Sequence, residues 1–241
     1  MKPIARLLAS SIALIAANAH ALTDAELAAL VDQRLAGDRT GACMAVAVVE
    51  KDNVARTFRC ADPKDADRIG KDTAFEIGSV SKTMTAVLLA DLIEQGKAAL
   101  DDPLVDYLPE GTKVPAFEGK PILLRHVVTH TSGLPALPSR LGATDMNDPY
   151  VNLTENALLA SLGDATLAAA PGTAFEYSNF ASMVLSYAVA RRAGEDFEAL
   201  LKQRLFTPLG MQHAYIDTPP DGVRTATGHT PNAKPTSAWH F

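Results

Sequence analysis

Apolar and polar positions set out the elements of this chain before any chemistry is considered. Two short stretches near the start, "ACMAVAVVE" (42–50) and "VARTFRC" (54–60), are rich in β-branched and small apolar residues and read as strands joined by the polar Lys51-Asp52-Asn53. Upstream, Thr23 to Ala36 has helical periodicity, and Thr23 with Glu26 three positions on forms a capping-box pattern. From Ser79 to Gln95 the chain is apolar on most faces, which predicts a central buried helix stopped by Gly96. A short helix is expected near Leu123 to Val128, and longer ones at about 153–162, 178–193 and 196–205, with Gly163 and Gly194 ending the first two of these. Proline and glycine place loops at 101–121 and 135–150. The plan is lopsided: one hairpin, then mostly helix and loop. A two-stranded sheet is marginal by itself, so the missing strands suggest an incomplete chain.

Composition adds limits. The 241 residues are 47% hydrophobic, enough for a packed core, and show neither repeats nor low complexity. A formal net charge of −6 argues against a nucleic-acid partner, because phosphate binding needs clustered Lys and Arg. Residues 1–21 read as a signal peptide. Lys2 and Arg6 precede the apolar run Leu7 to Ala17, and Ala19-His20-Ala21 fits a small-x-small cleavage site. The run is short for a stable membrane span. The expected location is periplasmic or secreted, with residues 22–241 as the mature domain.

Export gives the two cysteines a redox context. A hairpin folded about Lys51-Asp52 sets Cys43 opposite Cys60. That register allows a cross-strand disulfide, while a slip of one residue would leave two small buried thiols.

Two constellations carry candidate chemistry. In "FEIGSVSKT" (75–83), Ser79 and Lys82 are three apart at a helix start, so both lie on one face. A serine hydroxyl is a poor nucleophile until a base takes its proton, and a lysine in a desolvated setting can do so. The bland alternative is Ser79 as helix N-cap and Lys82 as a solvated side chain. In "PGTAFEYSNF" (171–180), Tyr177 can move a proton and Asn179 can orient a carbonyl. Here the alternative is Ser178 or Asn179 as a helix cap and Tyr177 in the core.

With "HVVTHTSGLP" (126–135) between them, these segments fall in an order that resembles the serine β-lactamase and penicillin-binding-protein superfamily. The likeness is greatest to its class C branch and the related esterases and peptidases. The resemblance implies an α+β fold of the β-lactamase/transpeptidase type: an antiparallel sheet flanked by helices, plus a mostly helical region. It implies Ser79 as the acylated nucleophile, Lys82 accepting or sharing its proton, Tyr177 as general base or acid, and Asn179 orienting the substrate amide. The Ser79 N–H would form half of an oxyanion hole. The substrate would be a small amide or ester: a β-lactam, a peptidoglycan D-amino-acid peptide or a simple ester. No cofactor or metal is implied.

The third family motif, Lys-Thr-Gly or His-x-Gly, does not occur in the sequence. The resemblance places it on a strand beyond Tyr177, together with the remaining sheet. The chain is therefore expected to be the N-terminal portion of such a hydrolase, inactive by itself. The alternative is an inactive family member that binds peptidoglycan or a protein.

Other features read as structural. His126 and His130, four apart, are expected on one helix face without the glutamate of a zinc-protease motif. His229 and His240 read as loop residues without partners. Asn152-Leu153-Thr154 matches the glycosylation pattern, but Asn152 with Glu155 reads equally well as a helix cap.

Overall fold

The computed structural model describes residues 21–230, 232 and 234–240. Nearly all of the signal segment, residues 1–20, lies outside the described residues. The chain divides into two compact units, one ending at Gly70 and one beginning at Lys71.

The first unit is a helix on a hairpin. Helix α1 (Asp24–Leu35) starts from the predicted capping box, with the Thr23 hydroxyl accepting from the Glu26 N–H at 3.2 Å and the Glu26 carboxylate accepting from the Thr23 N–H at 2.9 Å. Strands β1 (Cys43–Glu50) and β2 (Asn53–Cys60) pair antiparallel in the expected register, Cys43 opposite Cys60 and Glu50 opposite Asn53. Cys43 and Cys60 are joined by a disulfide. Leu27, Val31 and Leu35, one stripe of α1, pack on Ala55 to make this unit's core.

In the second unit, the buried helix at the centre is α5 (Asn179–Ala193), not the Ser79 helix. Phe180, Ala181, Val184, Leu185, Ala188 and Val189 are buried, a stripe repeating every fourth residue on a helix that packs against four others. Those neighbours are α2 (Ser81–Glu94), α3 (Leu124–Val128), α4 (Glu155–Asp164) and α6 (Phe197–Leu201). Helix α2 buries only Thr85, Leu88, Leu89 and Leu92. Its apolar content overstates its depth, because Val87 remains exposed. A π-helical turn, Lys202–Phe206, continues α6.

Several helix ends differ from expectation. Thr154, not Asn152, caps α4 by accepting from the Ala157 N–H at 3.2 Å, and Asn152 instead donates to the Thr144 hydroxyl. α4 runs through Gly163 to Asp164, whereas Gly194 ends α5 in the left-handed region at φ 76°. Late strands exist, but each is two residues long. β3 (Thr73–Ala74) pairs parallel with β4 (Arg224–Thr225), and β5 (Gly228–His229) pairs antiparallel with β6 (Pro235–Thr236).

Gly133 shows why the loop after α3 needs glycine. Its φ is +76°, and a Cβ there would lie 2.5 Å from the Ala169 carbonyl oxygen. The same glycine accepts the Ala168 N–H at 3.0 Å, so this backbone cannot simply move away. Gly133→Ala is expected to destabilise the second unit by at least about 2 kcal/mol, from backbone strain plus the clash. A urea melt of the variant beside wild type measures it, and a change below about 0.5 kcal/mol would contradict the packing described.

Candidate functional site

Ser79 sits in a one-turn 3₁₀ helix, Gly78–Val80, that leads into α2. Gly78 makes the entry with φ +52°. The neighbouring hydroxyls are tied to local backbone: Ser81 donates to the Gly78 carbonyl and Thr83 to the Val80 carbonyl, each at 2.7 Å. Ser79 is different. Its hydroxyl makes no cap, and no side chain caps α2 at all. Instead it accepts a hydrogen bond from Lys82 Nζ at 3.0 Å. The helical spacing of three thus brings together the two side chains the sequence paired, and the N-cap reading of Ser79 does not hold.

Tyr177 arrives from the second segment. Lys82 Nζ lies 4.9 Å from its ring centroid. Hydrogen bonding to Lys82 and to Ser79 holds the Tyr177 phenol below its usual range near 10. Ser178, fully buried, is the cap that frees its neighbours for other roles. Its hydroxyl accepts from the Ala181 N–H at 2.9 Å and donates to the Pro135 carbonyl at 2.6 Å. Asn179 is the first residue of α5 and half-buried. Among the described residues its side-chain amide makes no hydrogen bond, so Ser79, Lys82 and Tyr177 meet and Asn179, two residues past Tyr177, is not tied to them by one.

One residue of the cluster was read from the sequence as structural. His130 does not share a helix face with His126, because α3 ends at Val128 and His130 adopts φ +56°. Its ring lies 4.5 Å from the Tyr177 ring, tilted by 34°. Its Nδ1 accepts the Ser178 N–H at 3.2 Å. Burial and the nearby Lys82 charge keep its pKa below 6.5. The available signal was a histidine just past a helix end in a Ser-Gly turn, since histidine is enriched at positive φ. His126 faces elsewhere, accepting the Leu123 N–H at 3.1 Å through Nδ1.

Away from this cluster, His240 is not partnerless: its Nδ1 is 2.7 Å from an Asp148 carboxylate oxygen, which lowers the Asp148 pKa and raises its own. His229 lies in β5. Among the described residues no group of three or more His, Cys, Asp or Glu side chains gathers as a metal site. None of their helices is long and apolar enough to cross a membrane.

The chain itself is similar to known proteins. The family model described as Beta-lactamase matches residues 27–240. The D-alanyl-D-alanine-carboxypeptidase/endopeptidase AmpH of Escherichia coli (strain K12) is 34% identical over 182 residues, 75% of this chain and 47% of the relative. Esterase EstB of Burkholderia gladioli is 32% identical over 228 residues, 85% of this chain and 57% of the relative. A crystal structure of a β-lactamase/D-alanine carboxypeptidase from Yersinia pestis, complexed with citrate, superposes with a TM-score of 0.64 at 29% identity. That match covers 76% of this chain and 52% of the other. The chain spans about half the length of the curated relatives it matches.

Proposed function

Because the chain belongs to the Beta-lactamase family, we propose that Ser79 is the nucleophile of an exported serine hydrolase, acylated by an amide or ester and then freed by water. The observation that carries this reading is the 3.0 Å contact from Lys82 Nζ to Ser79 Oγ, with the Tyr177 ring beside Lys82 and its phenol pKa lowered by both groups. In the proposed chemistry, the Tyr177 phenolate takes the Ser79 proton as Oγ attacks the acyl carbon. The Lys82 ammonium stabilises that phenolate and keeps Oγ in place. Tyr177 then returns the proton to the leaving amine or alkoxide. Water repeats the sequence in reverse, and Ser79 leaves with its proton restored. The Ser79 N–H faces the developing oxyanion, and Asn179 orients the substrate amide.

The substrate class is the one shared by the relatives' names: β-lactams, D-alanyl peptides and simple esters. Export with a signal peptide over residues 1–21 is part of the reading, and the Cys43–Cys60 disulfide supports an oxidising compartment. Substrate turnover is expected of a protein that also supplies a Lys-Thr-Gly or His-x-Gly strand, which these 241 residues do not contain. Reaction with a fluorophosphonate asks less, only an activated serine.

The test is therefore gel labelling with a fluorescent fluorophosphonate, with a fluorescent penicillin run in parallel. A fluorophosphonate band from wild type, lost in Ser79→Ala at unchanged melting temperature, supports the hydrolase. A folded wild-type protein that takes no label supports the inactive binding module instead.

A further inference from the structure

Tyr177 carries the chemistry proposed above, and where its phenol points depends on what holds the segment on which it stands. The residue is 44% exposed, and it stands on an irregular stretch between the turn at Pro171-Gly172 and α5. One residue brackets it. The backbone carbonyl of His130 accepts the Glu176 N–H at 2.8 Å, and the His130 ring nitrogen Nδ1 accepts the Ser178 N–H at 3.2 Å. These are the residues immediately before and after Tyr177. The His130 ring also forms the surface against which the Tyr177 ring rests, at 4.5 Å between centroids.

A single residue does all three only because its backbone is left-handed. At φ +56°, His130 turns its carbonyl and its side chain toward the same segment. The following turn locks that conformation: Thr131 donates its N–H to the His126 carbonyl and accepts the Gly172 N–H, at 2.8 and 2.7 Å.

We propose that His130 is a positioning residue for Tyr177: as a neutral imidazole with Nδ1 as acceptor, it pins the backbone on both sides of Tyr177 and seats the phenol toward Ser79 and Lys82. This rests on the hydrolase reading for its catalytic consequence, but not for the seating itself. Among the described residues, the titratable groups that face the imidazole are Lys82 of α2 and Tyr177. The small cavity between α2, α3 and α5 beneath it is otherwise lined by Thr85, Val127, Val128, Ser182 and Leu185.

The state of the ring follows from these neighbours. Protonating Nδ1 would remove the acceptor for the buried Ser178 N–H and set a cation beside Lys82. Burial first, and the Lys82 charge second, put the folded pKa below the unfolded value of 6.5. Between the two values the unfolded chain binds more protons, so this contribution is present above pH 6.5 and is lost as pH falls through the folded pKa.

Two variants separate the ring from the acceptor. His130→Asn suits positive φ and offers an amide oxygen to Ser178, but has no ring. His130→Phe keeps a ring and loses the acceptor. The first readout is Tyr177 ionisation, taken as the phenolate difference absorbance between each protein and its Tyr177→Phe counterpart, and it needs no activity. Wild type is expected to ionise below 10, and both variants to shift upward toward 10 as the phenol leaves Lys82 and Ser79. The second readout is phosphonylation of Ser79. Its limiting rate is expected to fall by at least about tenfold while the half-saturating reagent concentration changes by less than about twofold. An unchanged Tyr177 titration in both folded variants overturns the positioning role, whatever the rates. A wild type that takes no label overturns the hydrolase reading and leaves the titration to decide the role of His130.

Discussion

Replacing Lys82 with methionine is expected to slow phosphonylation of Ser79 by about 10²–10⁴-fold, the range in which a positioned acid–base group contributes. Lys82 does two things at once. Its Nζ donates to Ser79 Oγ at 3.0 Å, and its charge and hydrogen bond are among the causes that hold the Tyr177 phenol below its usual range. Methionine keeps the packed stem and removes both effects. With the cation gone, the Tyr177 pKa is expected to rise, which leaves less phenolate to accept the Ser79 proton. Tyr177→Phe keeps the ring on His130 but removes the acceptor atom, and a loss of the same order is expected. In the proposed chemistry the two groups act on one proton, so the double variant is expected to be no worse than about threefold below the weaker single variant. Fluorophosphonate time courses on the three proteins measure this. Additive losses would show that Lys82 and Tyr177 work independently. Thermal melts are expected to stay within about 0.5 kcal/mol of wild type, because Lys82 is only half-buried and Tyr177 lies at the surface.

The largest effect on stability is expected at Phe180. Its side chain is fully buried, and it opens the apolar stripe by which α5 meets the other helices. Phe180→Ala removes most of an aromatic side chain from a packed site and should cost about 3–5 kcal/mol. For a unit of this size that corresponds to a fall in melting temperature on the order of 10 °C. Phe180→Leu, closer in volume, should cost less than about 1.5 kcal/mol. The consequence reaches the site. Phe180 follows Asn179 directly, and its N–H is held by the Ala136 carbonyl at 3.1 Å, beside the Ser178 bond to Pro135. A cavity here loosens the anchor of the Tyr177 segment, so labelling should weaken well below the melting temperature of the variant. Differential scanning calorimetry on both variants checks the ranking. A cost below about 1 kcal/mol for Phe180→Ala would mean α5 is not the centre of its unit.

What could be read from the sequence was whatever local chemistry decides. The capping box of α1, the hairpin register that puts Cys43 opposite Cys60, and the Gly194 terminus of α5 each follow from a few adjacent residues. The pairing of Ser79 with Lys82 belongs to the same kind, because a spacing of three on a helix brings two side chains together wherever the helix packs. What escaped was set by packing between distant segments. α2 has the more continuous apolar run, yet α5 is the helix enclosed by others, and neither pattern alone shows how many neighbours a helix has. His130 escaped for a related reason. Its spacing from His126 suggests a shared helix face, but α3 stops after five residues and a left-handed turn sends the imidazole to a tyrosine 47 positions on. Neither the cap at Thr154 nor the His240–Asp148 pair is favoured by local pattern over its rivals.

The claim on which the rest depends is that Ser79, and no other hydroxyl, is the activated nucleophile. Ser81 stands two residues away with its hydroxyl held by the Gly78 carbonyl, and Ser178 is buried as a helix cap. Both are internal controls of the same chemical type. The direct measurement is tandem mass spectrometry of the protein after brief exposure to a fluorophosphonate, locating the phosphonyl group along the segments 75–97 and 171–180. The account predicts a single adduct on Ser79, absent after Lys82→Met at the same exposure. An adduct on Ser81, or one spread over several serines and unaffected by Lys82→Met, would contradict it.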